Sequence, residues 1–338
     1  MKNISEIKIG ICIPTIREDC LVKFLKEWQP QFDLENINFY ITEDNETLKI
    51  DYIKAFKEYK NKNVKIYSHK EIKEDLKNNS WIICKKNSSH RSYGYLQAYK
   101  DNCDMIVTLD DDCYPLEDVR YLEAHWNKLN AQVDMWGSSA FDKNSDRIPV
   151  RGIPYKNRTV KDKVIINHGL WKNNLDLDAV HQLLGDLNNK EIDIFRTPTV
   201  FSKYRSLCGM SLAFKKEATP LMYFGLQGED WMFDRFDDIW CGIIAQKIVS
   251  HLGKYITNGT PMIWHDRASD PFKNLIKEAQ GVQINETFWQ FIEEIQLVGK
   301  TYRECFRQIA KELKKFPEEK KYFNKLSEAM IIWLSLFK

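Results

Sequence analysis

The sequence has no CxxC pair and no paired Cys/His spacing, so its eight cysteines (Cys12, Cys20, Cys84, Cys103, Cys113, Cys208, Cys241, Cys305) do not read as a structural zinc site. Scattered thiols fit a reducing compartment, and a cytoplasmic location is expected. The apolar run Met330 to Phe337 falls far short of the roughly 20 residues that a spanning helix needs, so no transmembrane segment is expected. The N-terminal apolar stretch is short and broken by Pro14, which gives no secretory leader. Neither sign of charge dominates: the formal net charge is +2, and no basic stripe interleaved with aromatics marks a nucleic-acid partner. Glycine and proline are sparse, at 14 and 10 residues, and no segment repeats at a fixed period. What is present, 43% apolar and 29% charged residues in a chain of 338, suits a folded α/β domain with a substantial core.

KIGICIP (8–14) predicts a buried strand ended by proline, and EDCLVKFLKEW (18–28) a helix, which is a β-α opening. INFYITEDN (37–45) reads as a second strand closing on Glu43 and Asp44; VKIYSH and WIICKK read as further short strands. A helix is expected from Ser92 to Tyr99 and another from Leu122 to Leu129, followed by a loop-rich middle holding RGIPYKNR and NHGLW. LCGMSLAFKKEATPLMYFG predicts a strand and then a short helix. RFDDIWCGIIAQKIVSHLG predicts an amphipathic helix with Ile239, Ile243, Ile244, Ile248 and Leu252 on one face and a stop at Gly253. Residues 285–338 read as almost entirely helical.

The strongest chemical signal is CDMIVTLDDDCYP (103–115), an apolar strand running into Asp110, Asp111 and Asp112. A strand end places such carboxylates in the crevice where open α/β sheets bind ligands. Their hard oxygens suit Mn2+ or Mg2+, which leave coordination positions open to phosphate oxygens. The alternative is a solvated acidic turn.

IPTIR (13–17), FLKEW (24–28), RSYGY (91–95), LDDDCYP (109–115), RGIPYKNR (151–158), NHGLW (167–171), CGMSLAF (208–214), RFDDIWCG (235–242), HLG (251–253) and TPMIWHDRASDPFKNLIKE (260–278) stand in one order. In that order they resemble the reversibly glycosylated polypeptides, also called UDP-arabinopyranose mutases, over roughly residues 8 to 285. The resemblance implies an α/β, GT-A-like (Rossmann-like) nucleotide-sugar domain over residues 1–284 and a C-terminal helical extension over 285–338.

By that resemblance Asp110 to Asp112 match a DDD motif for metal and nucleotide-sugar binding, with Asp112 the metal ligand and His265 the expected completing histidine. For His265 the alternative is a buried structural role. Arg151 and Arg158 fill the arginine positions of the RGxPxxxR block, linked by the resemblance to activity and reversible self-glycosylation. Chemically, their guanidinium forks favour pyrophosphate binding over nucleophilic attack. Asp237 and Asp238, in the RFDD block, read either as helix-start carboxylates or as catalytic groups that hold a hydroxyl or face positive charge at the anomeric carbon. Thr15, Arg17 and Asp44, at the ends of the first two strands, are placed to hold uridine and ribose, and Arg91 and Tyr95 to lie over the nucleotide. His168 and Trp171 are read as sugar or base contacts, or as packing.

The expected activity is a mutase interconverting pyranose and furanose forms of a UDP-sugar, arabinose by default, with Mn2+ or Mg2+ and without a redox cofactor, since no GxGxxG occurs. The rivals are a glycosyltransferase using the same DDD site and a non-catalytic nucleotide-sugar-binding subunit. One departure from the family is QGEDWMFDRFDD (227–238), where Glu229, Asp230 and Trp231 replace a glycine-rich segment and bear on which sugar is taken. The apolar stripe Phe323, Leu326, Met330, Trp333, Leu334 and Phe337 reads as core or subunit interface, with a homo-oligomer expected and contact with a membrane surface as the second alternative.

Overall fold

A computed structural model describes residues 2–59, 62–117, 119–134, 151–152, 154, 156, 159–185, 204, 206–266 and 269–337. The chain opens with β1 (Ile9–Thr15), α1 (Glu18–Trp28), β2 (Ile37–Glu43), α2 (Tyr52–Ala55), β3 (Asn63–Tyr67) and α3 (His69–Leu76). It continues through α4 (Arg91–Lys100), β4 (Met105–Leu109), β5 (Cys113–Pro115), α5 (Tyr121–Leu129) and two short strands, β6 (Val133–Asp134) and β7 (Thr159–Val160). The second half holds β8 (Val164–Asn173), α6 (Ala179–Leu184), β9 (Ser211–Lys215), α7 (Asp237–His251), β10 (Tyr255–His265), α8 (Pro271–Glu294), α9 (Tyr302–Glu312) and α10 (Lys320–Ser335).

Eight strands form one mixed sheet in the order β3-β2-β1-β4-β9-β8-β10-β5. The first four are mutually parallel, β9 runs antiparallel to β4 and β8, β8 and β10 are parallel, and β5 is antiparallel to β10. The carboxyl ends of β1, β2, β4, β8 and β10 therefore share one edge of the sheet. The expected α/β class stands, with core on both faces. In β1, Ile9, Ile11 and Ile13 pack into the layer that includes α1 and α5, whereas Cys12 faces the layer of α4 and α7 to α10. At Gly10 a Cβ would stand 3.0 Å from Ala98 Cβ and 3.1 Å from the Cys103 sulfur, so α4 lies close against the strand.

Several sequence expectations are corrected. WIICKK is not a strand: residues 77–82 form a 3-10 turn, and the Ile82 carbonyl accepts from the Tyr223 hydroxyl at 2.7 Å instead of from a neighbouring strand. NHGLW is not loop but the middle of β8, where the strand beside it takes up Asn167: Thr257 Oγ1 donates to Asn167 Oδ1 at 2.8 Å. Helix α7 is not amphipathic, because α8 and α9 cover the face it would turn to solvent; Trp240 to Gln246, Ile248 and Val249 are all buried. Its stop is the expected one: Gly253 takes φ +62°, and the amides of Gly253 and Lys254 bond the carbonyls of Ser250 and Val249 at 3.1 and 2.9 Å.

The position between residues 284 and 285 lies inside α8. The stripe on α10 is covered by this chain itself: Phe323, Leu326, Met330, Trp333, Leu334 and Phe337 are buried, and Trp333 Nε1 donates to the Pro220 carbonyl at 3.0 Å. The tail therefore gives no support to a homo-oligomer or to a membrane-surface role, because its apolar face has no area left to bury. Among the described residues no helix is long and apolar enough to cross a membrane.

Candidate active site at the carboxyl edge of the sheet

Strand β4 is buried along its whole length, as a central strand should be, and stops where the three aspartates begin. The Cys113 amide closes the turn on the Asp110 carbonyl at 3.1 Å, sending the chain into β5. Two residues from the end of β1 meet this turn. Thr15 Oγ1 donates to Asp111 Oδ2 at 2.7 Å, and the Arg17 guanidinium bonds Asp111 Oδ1 and stands 3.6 Å from Asp112 Oδ2. Burial raises the Asp111 carboxyl above its usual range, while Arg17 and Thr15 work against it.

Asp112 differs from its neighbours. Burial, then the charges of Asp110 and Asp111, push its carboxyl up to about 6, with His265 and Arg17 offsetting only part of the rise. His265 ends β10, in register with Cys113 of β5, and the Asp266 amide donates to the Asp112 carbonyl at 2.9 Å. The imidazole Nδ1 is bonded to the Asn174 carbonyl at 2.8 Å, which makes it the protonated nitrogen and leaves Nε2 as a lone-pair donor. Among the described residues no three His, Cys, Asp or Glu side chains form a ready cation cage. A carboxyl destabilised by like charge beside a histidine with its tautomer fixed nevertheless fits a hard cation that takes its other ligands from phosphate and water.

Asp110 belongs to a second network. Arg91, at the start of α4 and 3% exposed, donates to Asp110 Oδ1 at 2.6 Å, the Gly209 carbonyl at 2.7 Å, Ser88 O at 3.0 Å and Thr108 Oγ1 at 3.1 Å. With four hydrogen bonds made inside the protein, Arg91 fixes Asp110 from a buried position rather than lying over a nucleotide. Gly209 has to be glycine, since a Cβ would approach the guanidinium to 2.9 Å. The Gly209 amide in turn donates to Asp238 Oδ2 at 2.9 Å, and Ser88 Oγ donates to Asp237 Oδ2 at 3.1 Å.

Asp237 and Asp238 thus occupy the first turn of α7, as the sequence suggested, with Asp237 buried and Asp238 half-buried. Burial raises both carboxyls. Arg91 restrains Asp237, whereas the charges of Asp237 and Asp176 drive Asp238 well above its usual range. Just before the helix, Arg235 holds a left-handed backbone, φ +65°, and its Nε donates to Glu278 Oε1 at 2.7 Å.

The remaining candidates separate. Asp44 accepts from His69 Nε2 at 2.7 Å and from the Lys86 amide at 2.9 Å; burial raises its carboxyl, but His69, His90 and the amide win and hold it low. His168 is buried on β8 with Nδ1 bonded to Asn258 Oδ1 at 2.9 Å, and burial pushes it down to about 4, so it is neutral. Trp171 lies beside it, ring centroids 5.6 Å apart. Tyr95 sits wholly in the core between Phe214 and Phe224. Arg151 is exposed in a turn and, among the described residues, makes no ion pair with the three aspartates; Arg158 lies outside the described residues. In the departing segment, Glu229 pairs with Lys86 at 2.6 Å and Trp231 lies against Trp81. Sequence reasoning did not single out Asp176, Glu278 or Arg235: the first stands in an unremarkable polar stretch, and the other two hid inside the 260–278 and RFDD blocks.

A family model described as reversibly glycosylated polypeptide matches residues 4–338. Similar curated proteins include "Probable UDP-arabinopyranose mutase 1" of Solanum tuberosum, 33% identical over 97% of this chain and 89% of that protein. "UDP-arabinopyranose mutase 3" of Arabidopsis thaliana is 32% identical, covering 98% of this chain and 91% of its own length. Among solved structures, glucosyl-3-phosphoglycerate synthase from Mycobacterium tuberculosis in complex with Mn2+, UDP-glucose and phosphoglyceric acid is 10% identical with a TM-score of 0.44, over 84% of this chain and 80% of that one. S. aureus TarS 1–349 in complex with UDP-GlcNAc is 11% identical with a TM-score of 0.44, over 96% and 72%.

Proposed function

The chain belongs to the reversibly glycosylated polypeptide family, and on that premise we propose that it is a UDP-sugar mutase interconverting the pyranose and furanose forms of UDP-arabinose. The observation that carries the reading is the gathering of Asp110, Asp111, Asp112, Arg17, Arg91 and His265 at one sheet edge, in a chain that matches named mutases over 97% of its length.

Asp112 and His265 Nε2 are the residues suited to hold Mn2+ or Mg2+. A cation held by these two residues would supply Lewis-acid neutralisation of pyrophosphate charge. Arg17, beside Asp111 and Asp112 and open to solvent on one side, offers a further fork of donors to phosphate oxygens. Thr15 and Arg17 line the uridine end with Asp44, while Arg91 holds Asp110 in place from below. Asp238, its carboxyl raised by burial, suits donation of a hydrogen bond to a sugar hydroxyl, and Asp237, steadied by Arg91, faces the developing positive charge. The exposed position of Arg151 suits a residue that carries a sugar in reversible self-glycosylation, with Arg158 as its partner in the block.

The test is incubation of the protein and Mn2+ with a panel of UDP-, GDP- and dTDP-sugars, followed by chromatographic separation. A new isomer at constant total nucleotide sugar is the expected result and names the substrate. Release of free nucleotide alone, with no isomer, overturns the mutase and points to transfer onto an acceptor.

A further inference from the structure

Between the two networks lies a short loop, residues 174–178, tied at both ends. At one end the Asn174 carbonyl holds His265 Nδ1 at 2.8 Å, and Asn174 Nδ2 donates to the His265 carbonyl at 3.2 Å. At the other end the Ala179 amide donates to Glu278 Oε2 at 2.7 Å, and the second oxygen of that carboxylate holds Arg235. The loop thus spans from the cation histidine to the approach to Asp237 and Asp238. At its centre stands Asp176, exposed and within electrostatic reach of His168, Cys208, Arg235 and Asp238.

Two polar atoms beside this loop lack partners. His168 is 5% exposed; with Nδ1 committed to Asn258, its Nε2 is an acceptor with nothing to accept from. The Trp171 Nε1–H, on the neighbouring ring, is a buried donor that no group receives. Buried polar groups of this kind are costly unless a ligand or water completes them. The set is an indole donor, a neutral imidazole acceptor and a carboxylate. That pattern disfavours phosphate, because it presents the Asp176 carboxylate while Arg235 is already engaged by Glu278. It matches a ring of hydroxyls, each able to donate and accept at once.

We propose that Asp176, His168 and Trp171 form the subsite that recognises the hydroxyls of the donor's sugar, with Asp176 deciding which sugar is accepted; this rests on the nucleotide-sugar reading above. Asp176 lies within electrostatic reach of Asp238 and in the loop whose Asn174 holds His265, so a nucleotide sugar whose pyrophosphate met a cation at His265 would direct its sugar toward this loop.

The test compares the affinities of wild type, Asp176→Asn and Trp171→Phe for UDP and for UDP-arabinopyranose, by titration calorimetry with Mn2+ present. Asp176→Asn should weaken UDP-arabinopyranose about tenfold, the scale of one charge-assisted hydrogen bond, and leave UDP within about twofold. Trp171→Phe keeps an aromatic ring but loses the pyrrole half of the indole with its N–H, so it should weaken the sugar nucleotide by roughly threefold or more without moving UDP. Equal change for both ligands, or no change for either, overturns the subsite; so does a wild-type protein that binds UDP and UDP-arabinopyranose equally well. A wild type that prefers UDP-arabinopyranose yet forms no isomer removes the mutase and leaves the subsite standing.

Discussion

The two acidic groups of the site are built from the same residue and made to differ by their neighbours. At the end of β4 each aspartate keeps an open side or a nearby cation: Arg91 on Asp110, Arg17 on Asp111 and Asp112, His265 within reach of Asp112. At the head of α7 burial again raises the carboxyls, and there Asp238 shares its surroundings with Asp237 and Asp176. On the reading proposed above, the first arrangement stores negative charge for a cation to relieve, and the second keeps a proton where water would remove it. Environment, not residue type, assigns the two roles.

The strongest way to break this contrast is to remove the residue common to both groups. Arg91→Met should cost about 3–5 kcal/mol of stability, since Asp110 and Asp237 lose the cation they face while staying in place. Urea unfolding reads the change, and a loss under about 1 kcal/mol would mean that the network is not coupled through Arg91.

Next is Asp112→Asn. Its expected effect is a fall in turnover of roughly 100- to 1000-fold, of the size seen when one preorganised electrostatic group is lost, with no loss of stability. The unfolding midpoint without metal should rise, because the amide carries no charge to repel Asp110 and Asp111.

The pH response of Asp112 sharpens the comparison further. Its carboxyl sits at about 6 in the fold, above the ordinary unfolded value, so its favourable contribution is complete below pH ~4 and is lost as pH rises through 6. A cation reverses that sign by demanding the ionised form. The Mn2+-induced rise in melting temperature should therefore be larger at pH 7.5 than at pH 5, with affinity falling roughly tenfold per pH unit below 6. A shift independent of pH would remove Asp112 from the cation shell.

The smallest effect is expected at Asp238→Asn. The amide oxygen can still accept from the Gly209 amide, so stability should stay within about 0.5 kcal/mol of wild type. A loss of several kcal/mol would show that the site needs the charge, and that the proton is not held there.

How much of this was legible beforehand depended on what each residue had to contrast with. IGICIP and MIVTL are unbroken apolar runs, and three aspartates after one of them are hard to mistake. NHGLW misled because its asparagine and histidine look like loop residues until β10 is there to bond Asn167 Oδ1 and His168 Nδ1. The period of α7 could show one apolar face but not that α8 and α9 would cover the other. Asp176 carried no signal, since its meaning comes from His168, Cys208 and Asp238, which lie 8, 32 and 62 positions away in the chain. Arg91 and Arg17 were read as reaching for the nucleotide, and the first turned inward because four protein acceptors surround it.

The turn at Gly253 joins α7, which begins with Asp237 and Asp238, to β10, which ends with His265. One uninterrupted helix–turn–strand segment thus starts at the two aspartates, runs away from the sheet edge and returns to it at His265. On the reading proposed above, in which the first end meets the sugar and the second the pyrophosphate, a change that shifts α7 against β10 would misalign the two ends of the substrate without touching a residue that contacts it.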